Sequence, residues 1–167
     1  WLDEDEISNV PELEIVFDIT EWPKHLNADS EMMRVVLSNL LGNAIKYTPD
    51  GGKIFLQART KGSNFEFSIR DTGIGISIDE QSKIFQEFYT LGDTNLHTSS
   101  KTAFQGGGLG LGLPVCKGIV EAHGGTIVVE SQGYDPDLYP GSRFIITLPL
   151  TIDQARMMPV FDENVRN

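Results

Sequence analysis

The sequence predicts an α+β fold with about five strands and about three helices, on three observations. Five short runs rich in β-branched and aromatic residues, at 13–19, 53–60, 64–70, 126–131 and 142–148, read as strands. Two longer stretches, from near Ala28 to Tyr47 and from Pro114 to His123, repeat apolar residues at helical spacing. The second and third strand runs are separated only by Lys61-Gly62-Ser63, a connection short enough to make them a β-hairpin.

In order along the chain, the acidic residues 3–6 form a solvated lead-in, and residues 1–12 as a whole read as a linker. Pro11 precedes the first strand run, Leu13-Glu14-Ile15-Val16-Phe17-Asp18-Ile19. Asn27 or Asp29 can cap the long helix, and Thr48-Pro49-Asp50-Gly51-Gly52 ends it. In that helix Leu37, Leu40, Leu41 and Ala44 recur at helical spacing and are expected to face a core. Residues 77–87 read as a short helix with Ser77 as cap and Ile84, Phe85 and Phe88 as packing residues. Residues 89–107 carry no periodicity, and a stretch of that length inside a domain points to a functional loop. Gly124-Gly125 closes the last helix, 132–141 is turn-rich, and 151–167 reads as a C-terminal tail beyond a domain spanning 13–150.

Composition narrows the function. With 167 residues and 40% hydrophobic content the chain can bury a real core, and one domain is the natural expectation. A formal net charge of -11 argues against nucleic-acid binding, which depends on basic patches, so a bound polyphosphate would bring a divalent cation. The single cysteine, Cys116, excludes an internal disulfide, fits a reducing compartment, and lies in an apolar helical run as a buried thiol. No stretch approaches about 18 apolar residues, the length expected of a membrane-spanning helix. A chain beginning at Trp1 reads as a segment of a longer protein.

Three stretches carry chemistry. Asn39, Asn43 and Lys46 lie three and four residues apart, so one side of the long helix presents two carboxamides and an ammonium. Asp71-Thr72-Gly73-Ile74-Gly75-Ile76 follows a strand directly. Glycines there let a ligand approach the backbone, and Asp71 offers a carboxylate able to accept from an exocyclic amine such as that of adenine. Gly106-Gly107-Gly108-Leu109-Gly110-Leu111-Gly112-Leu113 then runs into a helix with Pro114 in its first turn. Such a run leaves backbone N–H groups open at a helix N-terminus, an anion site. Neither Gly-x-Gly-x-x-Gly nor Gly-Lys-Ser/Thr occurs in it, so dinucleotide-fold and P-loop readings are disfavoured.

Together these residues resemble the catalytic and ATP-binding domain of sensor histidine kinases, in the superfamily shared with gyrase, MutL and Hsp-type chaperones. Residues 39–47 resemble its N box, 71–76 its first glycine box, 85–88 its F box and 108–113 its second glycine box. Gly141-Ser142-Arg143-Phe144 resembles the glycine-containing start of its final strand. The resemblance spans roughly 13–149, with the boxes in family order. It implies a two-layer sandwich of the Bergerat type, with a mixed sheet covered on one face by helices and ATP held between helices and a mobile lid. By that likeness Asn43 holds Mg2+, Asn39 and Lys46 support the phosphates, and Tyr47 lies near the nucleotide. Asp71 takes the adenine amine with Gly75 admitting the base, while Gly108, Gly110 and the helical N–H groups after them hold the β- and γ-phosphates. Gly73, Ile76, Lys101, Leu109, Leu111, Gly112 and Leu113 complete the implied nucleotide-binding set.

Leu109 stands where the family usually carries Thr or Ser, and Thr90 where many relatives carry an Arg whose place Lys101 could take. None of His25, His97 and His123 has the acid and following proline of a phosphoacceptor histidine, so each reads as a surface or packing residue. The resemblance therefore implies partners: a dimerisation and histidine-phosphotransfer domain of the same protein, a homodimeric whole, and a cognate response regulator. It also implies a cytoplasmic location, free or as the inner part of a membrane-bound sensor. Two other functions compete. An ATP-hydrolysing clamp of the gyrase, MutL and chaperone type needs a Glu one turn before the metal-binding Asn, and Asn39 occupies that place. A pseudokinase interaction domain would have a decayed site, whereas the glycine boxes and Asn43 are intact.

Overall fold

The computed structural model describes residues 12–19, 22–24, 26–89 and 110–150. The expected linker apart from Glu12, most of the 89–107 loop, the 151–167 tail, and the residues His25, Thr90, His97, Lys101, Gly108 and Leu109 lie outside the described residues. Eight elements follow in order: β1 (Glu14–Ile19), α1 (Ser30–Tyr47), β2 (Lys53–Lys61), β3 (Asn64–Asp71), α2 (Ile78–Gln81), α3 (Gly112–Ala122), β4 (Thr126–Glu130) and β5 (Arg143–Pro149). The strands form one five-stranded sheet in the order β1-β2-β3-β5-β4. β1 pairs parallel with β2, and every other pairing is antiparallel, so the sheet is mixed. The 61–64 connection is the hairpin the sequence predicts.

Alternation along the strands decides which face is covered. One transverse row, Phe17, Leu56, Ile69, Phe144 and Val129, follows the register across all five strands. Its central members are buried beneath α1 and α3, which pack on β3 and β4 and on each other. On the opposite face Arg59 pairs with Asp18, Lys61 with Glu66, and Arg143 with Glu66 and Glu130, a solvated surface of ion pairs. The two-layer arrangement expected from the resemblance is therefore the one observed.

Asp29 starts α1: its Oδ1 accepts from the N–H groups of Glu31 and Met32 at 2.9 and 3.0 Å, satisfying donors that have no partner inside the helix. At the other end the buried Thr48 hydroxyl donates to the Ala44 carbonyl at 2.6 Å, and Pro49 follows. The buried stripe of α1 is Val36, Leu40 and Ala44. Leu37, expected in the core, is instead 40% exposed. It lies about 100° round the helix from Val36 and so falls on the flank of the stripe that Val36, Leu40 and Ala44 centre.

Two further expectations need correction in the segment after β3. The helix expected over 77–87 is only the single turn α2, followed by hydrogen-bonded turns to Phe88. Ser77 precedes it without capping it, because its hydroxyl donates to Glu80 Oε2 at 2.6 Å instead. Ile84 is buried and the Phe85 ring meets Phe144 edge-on at 6.4 Å, but Phe88 has φ 62° and is exposed. A chain that turns into left-handed backbone at Phe88 cannot continue the helical face that would have buried its ring.

Candidate functional site

The described members of the predicted set lie on three chain segments, the second half of α1, the turn after β3, and the start of α3, with α1 touching each of the other two. Asp71 ends β3 with its side chain on the helix-covered face and is 4% exposed. Its Oδ1 accepts from the N–H of Gly73 at 2.9 Å and of Ser142 at 3.2 Å, and its Oδ2 accepts from the Ser142 hydroxyl at 2.5 Å. Burial raises the carboxyl above its ordinary value of 3.8, against the lowering effect of the Ser142 hydroxyl and the two amides. A carboxylate offers about four lone-pair positions, so three donors leave one on Oδ2 for a ligand.

The glycines of this turn are dictated by close backbone approach. A Cβ on Gly73 would collide with the Tyr47 carbonyl, the same carbonyl that accepts from the N–H of Ile74 at 3.2 Å, so the end of α1 is locked onto the Asp71 turn. Gly75 has φ 73°, and a Cβ there would strike the Gly133 carbonyl. Ile76 turns its side chain into the core, and only its backbone faces the 131–142 loop.

On α1, Asn39, Asn43, Lys46 and Tyr47 are all half-buried. The Asn39 amide donates to the Val35 carbonyl at 2.9 Å, and its Oδ1 lies only 2.8 Å from where a Gly112 Cβ would stand. The absent side chain of Gly112 is thus what lets α3 begin directly against Asn39. The Asn43 side chain makes no hydrogen bond to another described residue. The Lys46 ammonium stands 4.7 Å from the centre of the Tyr47 ring.

At the start of α3, Leu111 occupies the cap position and no side chain satisfies the first amides. Leu113 packs against the core while Leu111 is 37% exposed. Gly110 has φ 69° and is pressed against the backbone of Phe88 and Tyr89. The Tyr89 hydroxyl is anchored on Glu80 Oε1 at 3.2 Å.

A family model described as histidine kinase-, DNA gyrase B-, and HSP90-like ATPase matches residues 28–152, a span that contains α1, the Asp71 turn and the start of α3. The chain belongs to this family. Among the relatives of this ATPase domain, the adaptive-response sensory kinase SasA of Prochlorococcus marinus (strain MIT 9313) is 40% identical over 151 residues, covering 90% of this chain and 35% of SasA. The circadian input-output histidine kinase CikA of Synechococcus elongatus is 40% identical over 133 residues, covering 80% of this chain and 16% of CikA. The chain thus spans about a third or less of the curated relatives it matches. Among solved structures, the mycobacterial sensor histidine kinase MprB superposes with a TM-score of 0.66 at 28% identity, over 82% of this chain and 81% of that one. Full-length ShkA in complex with AMPPNP gives 0.66 at 27%, over 83% of this chain and 26% of that one. Histidine kinase ThkA in complex with response regulator protein TrrA gives 0.62 at 25%, over 83% and 34%. The fold is therefore that of a histidine kinase catalytic domain, and the domain is of an ATP-binding type.

Sequence reasoning missed parts of this ATPase-type site. Ser142 appeared only as the start of a strand, yet it gives Asp71 two of its three donors. Ser131, half-buried just after β4, accepts from the N–H of Ile76 at 3.0 Å and donates to the Gly141 carbonyl at 2.7 Å. Both contacts join residues more than fifty positions apart or across a loop, and no local pattern marks them. His123 is a packing residue, as expected, and a specific one: its Nε2 accepts from the Asp29 N–H at 3.0 Å, and its Nδ1 lies 2.7 Å from the Ile119 carbonyl, tying the two helices. Among the described residues no helix is long and apolar enough to cross a membrane, and no cluster of three acid, His or Cys groups could hold a metal.

Proposed function

We propose that this chain is the ATP-binding catalytic domain of a two-component sensor histidine kinase, donating the γ-phosphate of Mg-ATP to a histidine on a separate helical domain. The observation that carries the reading is the Asp71 carboxylate, buried, held by three donors and left with an acceptor position on Oδ2. An adenine amine can donate there, whereas guanine presents a carbonyl at the corresponding edge and meets a repelling acceptor. Gly73 and Gly75 let the turn pack against the Tyr47 and Gly133 backbone, which fixes the wall that would meet the base, with Ile76 in the core behind it.

Along the other wall, Asn43 supplies a carboxamide oxygen with no partner among the described residues, a hard donor suited to Mg2+. No acidic cluster accompanies it among the described residues, so most of the ion's ligands would be phosphate oxygens and water. When bound, the ion neutralises charge on the phosphates and orients them. Asn39 and Lys46 donate to phosphate oxygens, with Tyr47 beside the nucleotide. The N–H groups of Gly110 to Leu113 give the phosphates a helix N-terminus. Lys101, Gly108 and Leu109 belong to the proposed set by position in the sequence alone.

Transfer to a histidine needs little covalent chemistry from the domain beyond positioning and charge stabilisation. Hydrolysis needs a base for water, and Asn39, one turn before Asn43, is a carboxamide already donating to Val35, which disfavours the ATPase-clamp reading. On this reading residues 1–12 link the domain, 13–150, to an upstream dimerisation and histidine-phosphotransfer domain, and 151–167 is a tail. The whole protein is a homodimeric cytoplasmic kinase, or the cytoplasmic part of a membrane sensor, with a response regulator as partner. The likeness to ThkA in complex with TrrA supports that partner class.

Titration calorimetry with ATP, with and without magnesium, tests the proposal. Binding that strengthens with magnesium in the wild type and loses that gain in Asn43→Ala is expected. A variant with the same magnesium dependence as wild type removes Asn43 from the metal site.

A further inference from the structure

Ser131 stands outside every sequence motif, yet its hydroxyl ties together the two segments that converge on Asp71, beside the direct bond from the Gly141 N–H to the Gly73 carbonyl at 2.9 Å. One is the 73–76 turn, which gives Asp71 the Gly73 amide. The other is 141–142, which gives it the Ser142 amide and hydroxyl. On the far side of both, Ser131 Oγ accepts from the Ile76 N–H at 3.0 Å and donates to the Gly141 carbonyl at 2.7 Å. It lies within 3.0 Å of the Gly133 carbonyl as well and accepts weakly from the Gly133 N–H at 3.4 Å. A hydroxyl has one proton and two acceptor positions, so this one is fully used.

A second tie runs parallel to the first. The Gln81 side-chain amide donates to the Ile76 carbonyl at 3.1 Å and to the Ser131 carbonyl at 2.9 Å. Gly75, next to the tied Ile76, has φ 73° and bridges to Tyr134, so the ties hold a left-handed backbone conformation that favours glycine. The phosphate wall has no such connection: Asn39, Asn43 and Gly112 make none of their contacts through Ser131.

We propose that Ser131 is a positioning residue for base recognition, holding the Gly73–Ile76 and Gly141–Ser142 segments at the spacing that aims the Asp71 carboxylate at the adenine amine. The proposal rests on the nucleotide-binding reading above and assigns to one hydroxyl the base selectivity of that site. Loss of this hydroxyl loosens the base wall and leaves the phosphate wall intact. A residue of merely general structural importance would weaken both together.

The test compares wild type, Ser131→Ala, Ser131→Thr and Asp71→Asn for affinity toward Mg-ADP, Mg-GDP and magnesium tripolyphosphate. The preference of Ser131→Ala for ADP over GDP is expected to fall by about fivefold, the scale of one hydrogen bond, with tripolyphosphate affinity unchanged. Ser131→Thr, which keeps the hydroxyl, restores the preference. If Ser131→Ala does not fold, Ser131→Cys takes its place under the same two readings. A preference within twofold of wild type, an equal loss for all three ligands, or no rescue by Thr overturns the proposal. Where Asp71→Asn loses the preference and Ser131→Ala keeps it, only the role of Ser131 fails. Where Asp71→Asn also keeps it, the base-site reading itself fails and this proposal with it.

Discussion

Ser142 donates its hydroxyl to Asp71 Oδ2 at 2.5 Å, joining residues 71 positions apart at the junction of β3 and β5. The bond holds in place a carboxylate whose burial raises its proton affinity, and this arrangement costs stability at neutral pH. The folded chain holds the Asp71 proton to higher pH than the unfolded chain, where the ordinary value is 3.8. Between those two values the native state binds more protons, so this group's contribution falls as pH rises through the window. Asp71→Asn, which cannot ionise, removes that slope. Urea midpoints of wild type and variant from pH 3 to 7 are expected to diverge in the variant's favour as pH rises, while its adenine preference falls. A difference that stays flat with pH contradicts the account of this carboxylate.

Two glycines of the site separate stability from binding. Gly73→Ala sets a Cβ against the Tyr47 backbone, which cannot move without shifting the end of α1, and is expected to cost about 2 kcal/mol or more. Gly112→Ala meets only the end of the Asn39 side chain, 2.8 Å away, which can rotate. Its stability should stay within about 1 kcal/mol of wild type while nucleotide affinity drops, because Asn39 leaves its position. Thermal unfolding beside calorimetry checks both. A stable Gly73→Ala would contradict the close approach of α1 to the Asp71 turn.

The core of α1 can be tested by contrast. Leu40→Ala empties a fully buried position against Val36, Ala44 and the sheet and should cost about 2–5 kcal/mol. Leu37→Ala, on the exposed flank, should cost less than about 1 kcal/mol. Equal losses in denaturant unfolding would show that Leu37 is covered after all.

Those two leucines show what was legible in the sequence. The strands, the two long helices, the 61–64 hairpin and the buried Cys116 followed from periodicity, turn residues and glycine placement, whereas the grouping of α1, the Asp71 turn and the start of α3 into one site was implied by the family resemblance. Which flank of α1 turns to the sheet depends on where α3 packs, and that contact joins residues such as Val36 and Cys116, 80 positions apart. Phe88 and Ser77 depart from the sequence expectation for a related reason. Backbone geometry at Phe88 and the Ser77–Glu80 bond override local helix signals. Ser142 and Ser131 carry no residue-type signal, because a serine becomes part of a site only through what tertiary structure sets beside it.

Cys116 offers a check on the α1–α3 contact. Its thiol is fully buried, lies 3.8 Å from the Val36 carbonyl, and is pushed up to about 12 by burial. A protonated, covered thiol is a poor nucleophile. Alkylation by iodoacetamide at pH 8 should be negligible in the folded chain and rapid in urea. Fast labelling without denaturant would mean that α1 and α3 separate readily.

The central claim is that this chain holds Mg-ATP for transfer to a histidine it does not itself supply. Incubation with γ-labelled ATP, alone and with a helical phosphoacceptor domain added as a separate polypeptide, tests it most directly. The account predicts no appreciable labelling or hydrolysis by the chain alone, and acid-labile, base-stable label on a histidine of the added domain when both are present. Robust ATP turnover by the chain alone, or no label on the added histidine while ATP is bound, would contradict it.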